Sequence, residues 1–204
     1  MLSPEMMDLL LSGTWETLYM TIVSTLIAYI FGVPLGLILY VTGDGGIRRN
    51  RAVNLVVGVI VNILRSVPFL ILLVFILPFT RAVVGTTIGS TATIVPLVVA
   101  AAPYVARMVE SSLKEIDGGV IEAARAMGSS TWQIIWKVFL PEAKPSLLVG
   151  ATISLATILG YSAMAGFVGG GGLGAIAINY GYYRYQSDIM LITVILLVII
   201  VQIF

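Results

Sequence analysis

Long stretches without a charged residue alternate with short charged stretches along this chain. An α-helix needs roughly 20 apolar residues to cross the ~30 Å hydrocarbon core of a bilayer. Several of the uncharged stretches reach or exceed that length, so the pattern predicts an all-α integral membrane protein. The uncharged stretches cover residues 17–43, 52–64, 66–80, 82–106, 145–183 and 189–204.

We predict five membrane-spanning helices in a single domain. Residues 145–183 exceed one span by roughly 15–20 residues, and we assign the excess, beginning at the glycine-rich segment 166–174, to an outer loop because glycine-rich backbone makes poor lipid-facing helix. Residues 189–204 reach only about 24 Å as a helix, and no cation follows, so we expect the sequence to stop inside the fifth span. The domain covers residues 1–204, with spans at about 17–42, 52–78, 86–106, 146–167 and 189–204.

Arg65 interrupts the second predicted span. A charge at membrane depth is costly and usually faces a cavity or a partner. In the interpretation we favour, residues 52–64 run partly along the cytoplasmic interface and Arg65 snorkels to the headgroups. In the alternative, Arg65 points into a central pathway. Pro68 follows closely and predicts a kink, because proline removes a helix donor.

The distribution of cations predicts the orientation. Outer loops hold only Arg81 and Arg184, so the positive-inside rule places the other charged stretches in the cytoplasm and the N-terminus outside. The N-terminus has neither a basic region nor a small-residue cleavage site, and we expect no cleaved signal peptide. The cytoplasmic cations are Arg48, Arg49 and Arg51 in the first loop and Arg107, Lys114, Arg125, Lys137 and Lys144 in the long charged stretch.

Composition excludes several classes of protein. Only 10% of the residues are charged, against roughly 25% in soluble domains. The net charge of +1 provides no basic field for nucleic acid. Cysteine and histidine are both absent, which removes disulfides, thiolate and imidazole metal ligands, cysteine nucleophiles and histidine-based triads. We predict no catalytic residue and no metal site.

A glycine pattern near the fourth span resembles a dinucleotide fingerprint. Gly169, Gly171 and Gly174 have that spacing, and Asp188 follows them. The fingerprint requires a preceding strand within a βαβ unit, and here a spanning helix precedes it, so the pattern is weak. A P-loop of the form G-x-x-x-x-G-K-[ST] does not occur in the sequence. We therefore expect no cofactor site on this chain.

The charged stretch 111–144 has the pattern of two short helices. Asp117 or a following glycine begins a helix over residues 120–127, whose alanines favour helix, and Gly128 ends it. Ser130 and Gln133 form a capping-box pattern for a helix over residues 131–140. We expect Pro141 to end that helix. Two such helices would make a compact cytoplasmic docking element for a partner protein; a solvated connector with local capping is the alternative.

This stretch resembles the EAA loop of the ABC-importer permease family. The residues that carry the resemblance are Glu122-Ala123-Ala124, Gly128 and Leu140-Pro141. In that family the loop forms a coupling helix that docks on a separate ATP-hydrolysing subunit. The resemblance thus implies that the chain is not itself an enzyme, and that ATP and Mg²⁺ bind to the partner. The implied ATPase-coupling residues are Glu122, Ala123, Ala124, Arg125, Met127 and Gly128.

A second set of matching segments extends over nearly the whole chain, at residues 15–18, 65–69, 78–86, 102–110, 160–166 and 171–174. Together they resemble the methionine-importing branch of the binding-protein-dependent type I permeases. This resemblance implies a five-helix, multi-pass permease of the bacterial cytoplasmic (inner) membrane, paired as a homodimer. The implied partners are two ATP-binding-cassette subunits and an extracytoplasmic substrate-binding protein or lipoprotein, with no nucleic acid. The family's basic tail after the last span is absent here.

The function implied is ATP-driven import of L- and D-methionine by alternating access on the homodimer axis. No acidic residue lies within a predicted span, so the sequence lacks the proton or sodium relay of an ion-coupled carrier. The alternatives are a permease of the same family for another amino acid or small polar solute, a passive channel subunit, and a membrane scaffold. Candidate residues for the translocation path are Tyr161, Ser162, Met164 and Asn179.

Overall fold

The computed structural model describes residues 4–204, and every regular element in that range is helical. Residues 1–3 of the predicted domain lie outside the described range. The predicted all-α architecture is therefore confirmed for the part described. Two π-helical segments, Ile135–Phe139 and Ala177–Tyr182, and a 3-10 segment, Gly166–Val168, lie between α-helices. The α-helices are α1 (Pro4–Thr42), α2 (Arg51–Ser66), α3 (Phe69–Phe75), α4 (Leu77–Val84), α5 (Ser90–Lys114), α6 (Gly118–Ala126), α7 (Thr131–Ile134), α8 (Leu140–Ala165), α9 (Gly172–Ile176) and α10 (Ser187–Ile203).

Within residues 4–204, three helical runs are long and apolar enough to cross a membrane, namely Pro4–Thr42, Ser90–Lys114 and Thr131–Tyr182. The chain bends by 102° between α2 and α3. These two helices add a fourth span if together they form one broken span. The apolar helix α10 is shorter, with 17 residues. The predicted number of five spans stays a prediction.

Two prolines divide the apolar stretch that was predicted as one span over residues 52–78. Pro68 immediately precedes α3, as the predicted kink requires. A second break, which the sequence analysis did not predict, falls at Ile76, and Pro78 lies in the first turn of α4. A proline is tolerated there because the first-turn N–H groups have no intrahelical partner. Arg65 is exposed in the last turn of α2.

The long helices extend beyond the predicted spans. α1 begins at Pro4 rather than near residue 17, with proline at its first position and Glu5 in its first turn. Both residues favour a helix start, since proline needs no donor there and a carboxylate complements the N-terminal dipole. α5 continues to Lys114, well past the predicted end at residue 106 and into the charged stretch.

The described chain divides into two compact units. The first contains residues 4–27, 67–101 and 154–204, and the second contains residues 28–66 and 102–153. Helices α1, α5 and α8 each contribute to both units, so the chain has continuous helices where separate domains would have linkers.

The first unit packs around apolar side chains and an ordered glycine-rich segment. Glu16 Oε2 accepts a hydrogen bond from the Gly172 N–H (2.7 Å), and Thr17 Oγ1 accepts one from the Leu173 N–H (2.9 Å). Gly171 and Gly172 have positive φ angles of 80° and 70°, which glycine adopts without strain. The core of this unit consists of Leu10, Leu159, Leu173, Ile176, Ile189 and Ile200.

The glycine-rich segment is thus more regular than the predicted outer loop. After the 3-10 turn Gly166–Val168, α9 and the π-helical segment continue as helix to Tyr182. The segment contains helix because glycine here permits close approach as well as flexibility: a Cβ on Gly174 would overlap the backbone of Ala163. Its position on the outer side of the membrane stays a prediction. The side chains of α1 satisfy the N–H groups that begin α9.

The second unit brings helix backbones close together at small residues. A Cβ on Gly32 would lie 2.6 Å from Val105 Cγ1, and one on Gly36 would lie 2.6 Å from the Ala106 carbonyl oxygen. Both glycines therefore allow α1 to approach α5, as expected for glycine within a membrane helix. Asn54 Nδ2 donates to the Leu39 carbonyl oxygen (2.7 Å), which ties α2 to the end of α1.

We expect Gly36→Ala to lower the thermal stability of the detergent-solubilised protein. Alanine is a better helix former than glycine by roughly 1 kcal/mol, but overpacking of a tight contact costs roughly 1–3 kcal/mol. Gly160→Ala is the matched control, because Gly160 is also helical and its Cβ would meet nothing within 4 Å. If both variants had midpoints of thermal unfolding equal to or higher than that of the wild type, the close approach of α1 to α5 would be contradicted.

Candidate functional site

Helix α6 holds its shape through hydrogen bonds made by its own flanking residues. Asp117 Oδ1 accepts a hydrogen bond from the Gly119 N–H (2.7 Å) at the start of the helix. At the other end, Gly128 has a φ of 76°, and the Ser129 N–H donates to the Ala124 carbonyl oxygen (3.1 Å). This is the Schellman arrangement that a C′ glycine allows. Asp117 and Gly128 thus flank the helix as predicted. The helix itself begins at Gly118, two residues before the predicted start.

The candidate coupling residues divide between the two sides of α6. Ala124 is buried, with 3% of its surface exposed. The exposed side is composed of small, charged and flexible side chains, and Met127 is its most open apolar residue at 79%. Ala124 thus packs α6 against this chain, leaving the other five candidates accessible. Those five are Glu122, Ala123, Arg125, Met127 and Gly128.

The second short helix begins as predicted but does not end as predicted. Ser130 and Gln133 form a complete capping box, in which the Ser130 N–H donates to Gln133 Oε1 (2.7 Å) and the Gln133 N–H to Ser130 Oγ (3.3 Å). Beyond α7, the chain continues through the π-helical segment directly into α8. Pro141 does not stop the helix because it lies in the first turn of α8, next to the wider π-helical turn.

Aromatic side chains distinguish the two sides of this helical run. Phe139 is fully buried, and its ring meets the Tyr40 ring edge-on with centroids 5.1 Å apart. Trp132 and Trp136 are instead 69% and 64% exposed. The sequence analysis did not select these two tryptophans, although their spacing of four residues places them on one side of a helix. Phe139 therefore anchors the run to α1, and the tryptophans remain accessible.

The candidate path residues have different environments in the first unit. Ser162 is buried, and its hydroxyl donates to the Leu159 carbonyl oxygen (2.8 Å). Its side chain is thus occupied within α8 and is a poor candidate for lining a path. Met164 is 45% exposed, and Asn179 is exposed on the π-helical segment.

Tyr161 has an aromatic partner that the sequence analysis did not select. The rings of Phe69 and Tyr161 stack with centroids 4.6 Å apart and an interplanar angle of 5°. Phe69 is the first residue of α3, directly after the break at Pro68. The sequence feature that could have identified Phe69 is its position in segment 65–69, one of the segments that carry the family resemblance. Proline thus fixes the position of an aromatic ring beside the fourth predicted span.

Among residues 4–204, no group of histidine, cysteine, aspartate or glutamate side chains has the arrangement of a metal site. The exposed residues of α6 and the two exposed tryptophans offer surfaces that a partner protein could contact.

Comparison with known proteins shows which family the chain belongs to. Residues 32–204 match the family model described as a binding-protein-dependent transport system inner membrane component. A protein of Vibrio cholerae, called a probable D-methionine transport system permease protein MetI, is 53% identical over 96% of this chain and 87% of its own length. The Escherichia coli K12 D-methionine transport system permease protein MetI is 56% identical over 81% of this chain and 76% of its own length.

A solved structure has the same fold over almost the full length. It is described as inward-facing conformations of the MetNI methionine ABC transporter, and one of its chains matches with a TM-score of 0.97 and 54% identity. The match covers 99% of this chain and 94% of that one. The predicted permease fold is thereby confirmed, as is the prediction that this chain is a transport component rather than an enzyme. The chain belongs to the family of binding-protein-dependent transport system inner membrane components, and it is a multi-pass membrane protein.

Proposed function

We propose that this chain is the membrane-spanning subunit of an ATP-driven importer of L- and D-methionine. The observation that carries the proposal is the near-complete match to a chain of the methionine ABC transporter, at 54% identity and a TM-score of 0.97. The names of the relatives from Vibrio cholerae and Escherichia coli support the same substrate. The importer lies in the bacterial cytoplasmic membrane.

The proposed topology has five spans with the N-terminus outside. The three long helical runs supply three spans, the broken pair α2 and α3 a fourth, and α10 the fifth. This arrangement places Arg48, Arg49 and Arg51 together with α6 and α7 in the cytoplasm, as the positive-inside rule requires. Two copies of the chain pair, and the translocation path lies on their twofold axis.

Helix α6 docks on an ATP-binding-cassette subunit. Its capped ends make it a rigid unit, and the small side chain of Ala123 leaves room for another backbone to approach. Glu122 and Arg125 offer charges for pairing, and Met127 offers a flexible apolar contact. ATP and Mg²⁺ bind to the partner subunit, so closure of two such subunits moves the two α6 helices and the spans that follow them.

An extracytoplasmic substrate-binding protein delivers the solute to the path. Tyr161, Met164 and Asn179 line the path, and Phe69 joins them through its stack on Tyr161. Aromatic rings and a thioether make favourable contacts with the sulfur of a methionine side chain. These four residues are uncharged, which leaves recognition of the ammonium and carboxylate groups to the binding protein and to polar atoms of the path.

The substrate assignment is tested by uptake of radiolabelled methionine into proteoliposomes that contain the permease, its ATPase subunits and the binding protein. We expect accumulation that requires ATP and is reduced by unlabelled L- or D-methionine. A non-hydrolysable ATP analogue is the control for passive flux. Solute entry without ATP would favour a channel, and ATP-dependent uptake of another amino acid without competition by methionine would overturn the substrate.

The coupling role is tested at Gly128, whose φ of 76° makes a side chain unfavourable there. We expect Gly128→Ala to lower uptake about tenfold, because a left-handed residue with a Cβ costs roughly 1–2 kcal/mol and α6 would lose its docked geometry. Gly45→Ala is a matched control, since Gly45 has a φ of 87° and an equally open surrounding. Equal uptake by the two variants would contradict docking through α6.

A further inference from the structure

A buried carboxylate joins two cations at the end of α5. Glu110 is 7% exposed. Its Oε2 accepts a hydrogen bond from Arg107 Nη1 at 2.6 Å, and its Oε1 accepts one from Lys114 Nζ at 2.7 Å. The cations lie one turn before and one turn after the carboxylate on the same helix, so both oxygens of a single buried group are engaged.

Arg107 extends this cluster to α2. Its Nη2 donates to Asn62 Oδ1 (2.9 Å) and to the Gly58 carbonyl oxygen (3.3 Å). A Cβ on Gly58 would lie 3.5 Å from this nitrogen, an ordinary van der Waals contact, so the guanidinium lies directly against the α2 backbone. The planar guanidinium can bind a carboxylate with one nitrogen and a second helix with another. Glu110 therefore fixes the position of a side chain that holds α2 against α5.

Lys114 extends the same cluster to the coupling loop. It is the last residue of α5, and only residues 115–117 separate it from α6. The N–H groups of Glu115 and Ile116 bond back to the carbonyl oxygens of Ser112 and Leu113, at 3.3 and 3.4 Å. A short connector with these bonds has little freedom, so a displacement of α6 acts directly on the end of α5.

Packing alone does not require a charge at this place. Elsewhere α2 and α5 meet through Val61 and Ala106, which are buried and apolar. A buried ion pair is often no more stabilising than apolar side chains of the same volume. Apolar side chains can slide past one another without losing a directional contact. The hydrogen bonds of this cluster are directional, so α2 and α5 cannot slide against each other without breaking them.

We propose that Glu110 is a positioning residue that transmits movement of the coupling loop to α2. The proposal rests on the proposed function, because it assumes that an ATPase moves α6. The route runs from α6 through the connector to Lys114, Glu110 and Arg107, and from there to α2. Helix α2 leads within three residues to Phe69, whose ring stacks on Tyr161. Movement of α2 thus reaches the aromatic pair through the break at Pro68.

The proposal is tested with Glu110→Gln in the complete complex, reconstituted in liposomes with its ATPase subunits and binding protein. The amide retains the shape of the side chain but accepts through only one oxygen, so one of the two cations loses its partner. We expect ATP hydrolysis to stay within about twofold of wild type and methionine transported per ATP to fall at least about fivefold, since single residues that carry coupling can change it severalfold. Glu5→Gln, the same substitution at an exposed carboxylate, leaves both activities unchanged.

A purely structural role predicts a different outcome, in which assembled complex, hydrolysis and uptake fall in parallel. That result, or an unchanged ratio of transport to hydrolysis, overturns the proposal. Asn62→Ala is the second variant, because it removes the shorter of the two hydrogen bonds from Arg107 to α2 and leaves the ion pairs in place. It should lower the same ratio. If the wild-type complex imports nothing, the proposed function fails; if it imports and both variants remain coupled, only the role of Glu110 fails.

A spectroscopic measurement separates transmission from stability. The chain has no cysteine, so nitroxide pairs can be placed at Val120 of α6 and Val59 of α2, both exposed, in a complex with cysteine-free ATPase subunits. In wild type we expect the distance to stay narrowly distributed when ATP and vanadate are added. In Glu110→Gln the distribution should broaden on ATP binding, and an equally narrow distribution would contradict the proposal.

Discussion

The structure depends on one constraint, that backbone N–H and C=O groups find partners without water across the membrane-spanning part of the chain. Continuous helix meets the constraint in α1, α5 and α8. Where the helix stops, side chains from another segment take over. Glu16 and Thr17 of α1 accept from the N–H groups that begin α9, and the Thr93 hydroxyl donates to the Gly170 carbonyl oxygen (3.1 Å). The glycine-rich segment can therefore lie within the fold, because α1 and α5 supply its missing hydrogen bonds.

The same constraint explains which features could be predicted from the sequence. The uncharged stretches predict helices, and local rules predict the ends of the coupling helix, because Asp117 and Gly128 act within a few residues of their own positions. Pro68 predicts the break before α3 for the same reason. The long continuation from α7 into α8 was not predictable from Pro141 alone, because its effect depends on the π-helical turn beside it.

Pairings between distant segments account for most of what the sequence analysis missed. No local pattern relates Glu16 to Gly172, which are 156 residues apart, or Phe69 to Tyr161. Ser162 was a reasonable path candidate by composition, but its hydroxyl bonds within its own helix. The coupling residues were easier to select, since they form one short helix, although only the structure shows that Ala124 faces inward.

Docking of α6 on an ATPase subunit is the central claim, because the proposed importer receives its energy from a separate ATP-hydrolysing subunit. A photo-crosslinking amino acid at Met127, which is 79% exposed, tests the contact directly in membranes that contain the assembled importer. The account predicts a crosslink between the permease and the ATP-binding subunit, and none from the same group placed at Tyr185, which is 88% exposed and lies before α10 on the proposed outer side. Crosslinks from Met127 only to lipid or to a second permease copy would contradict it.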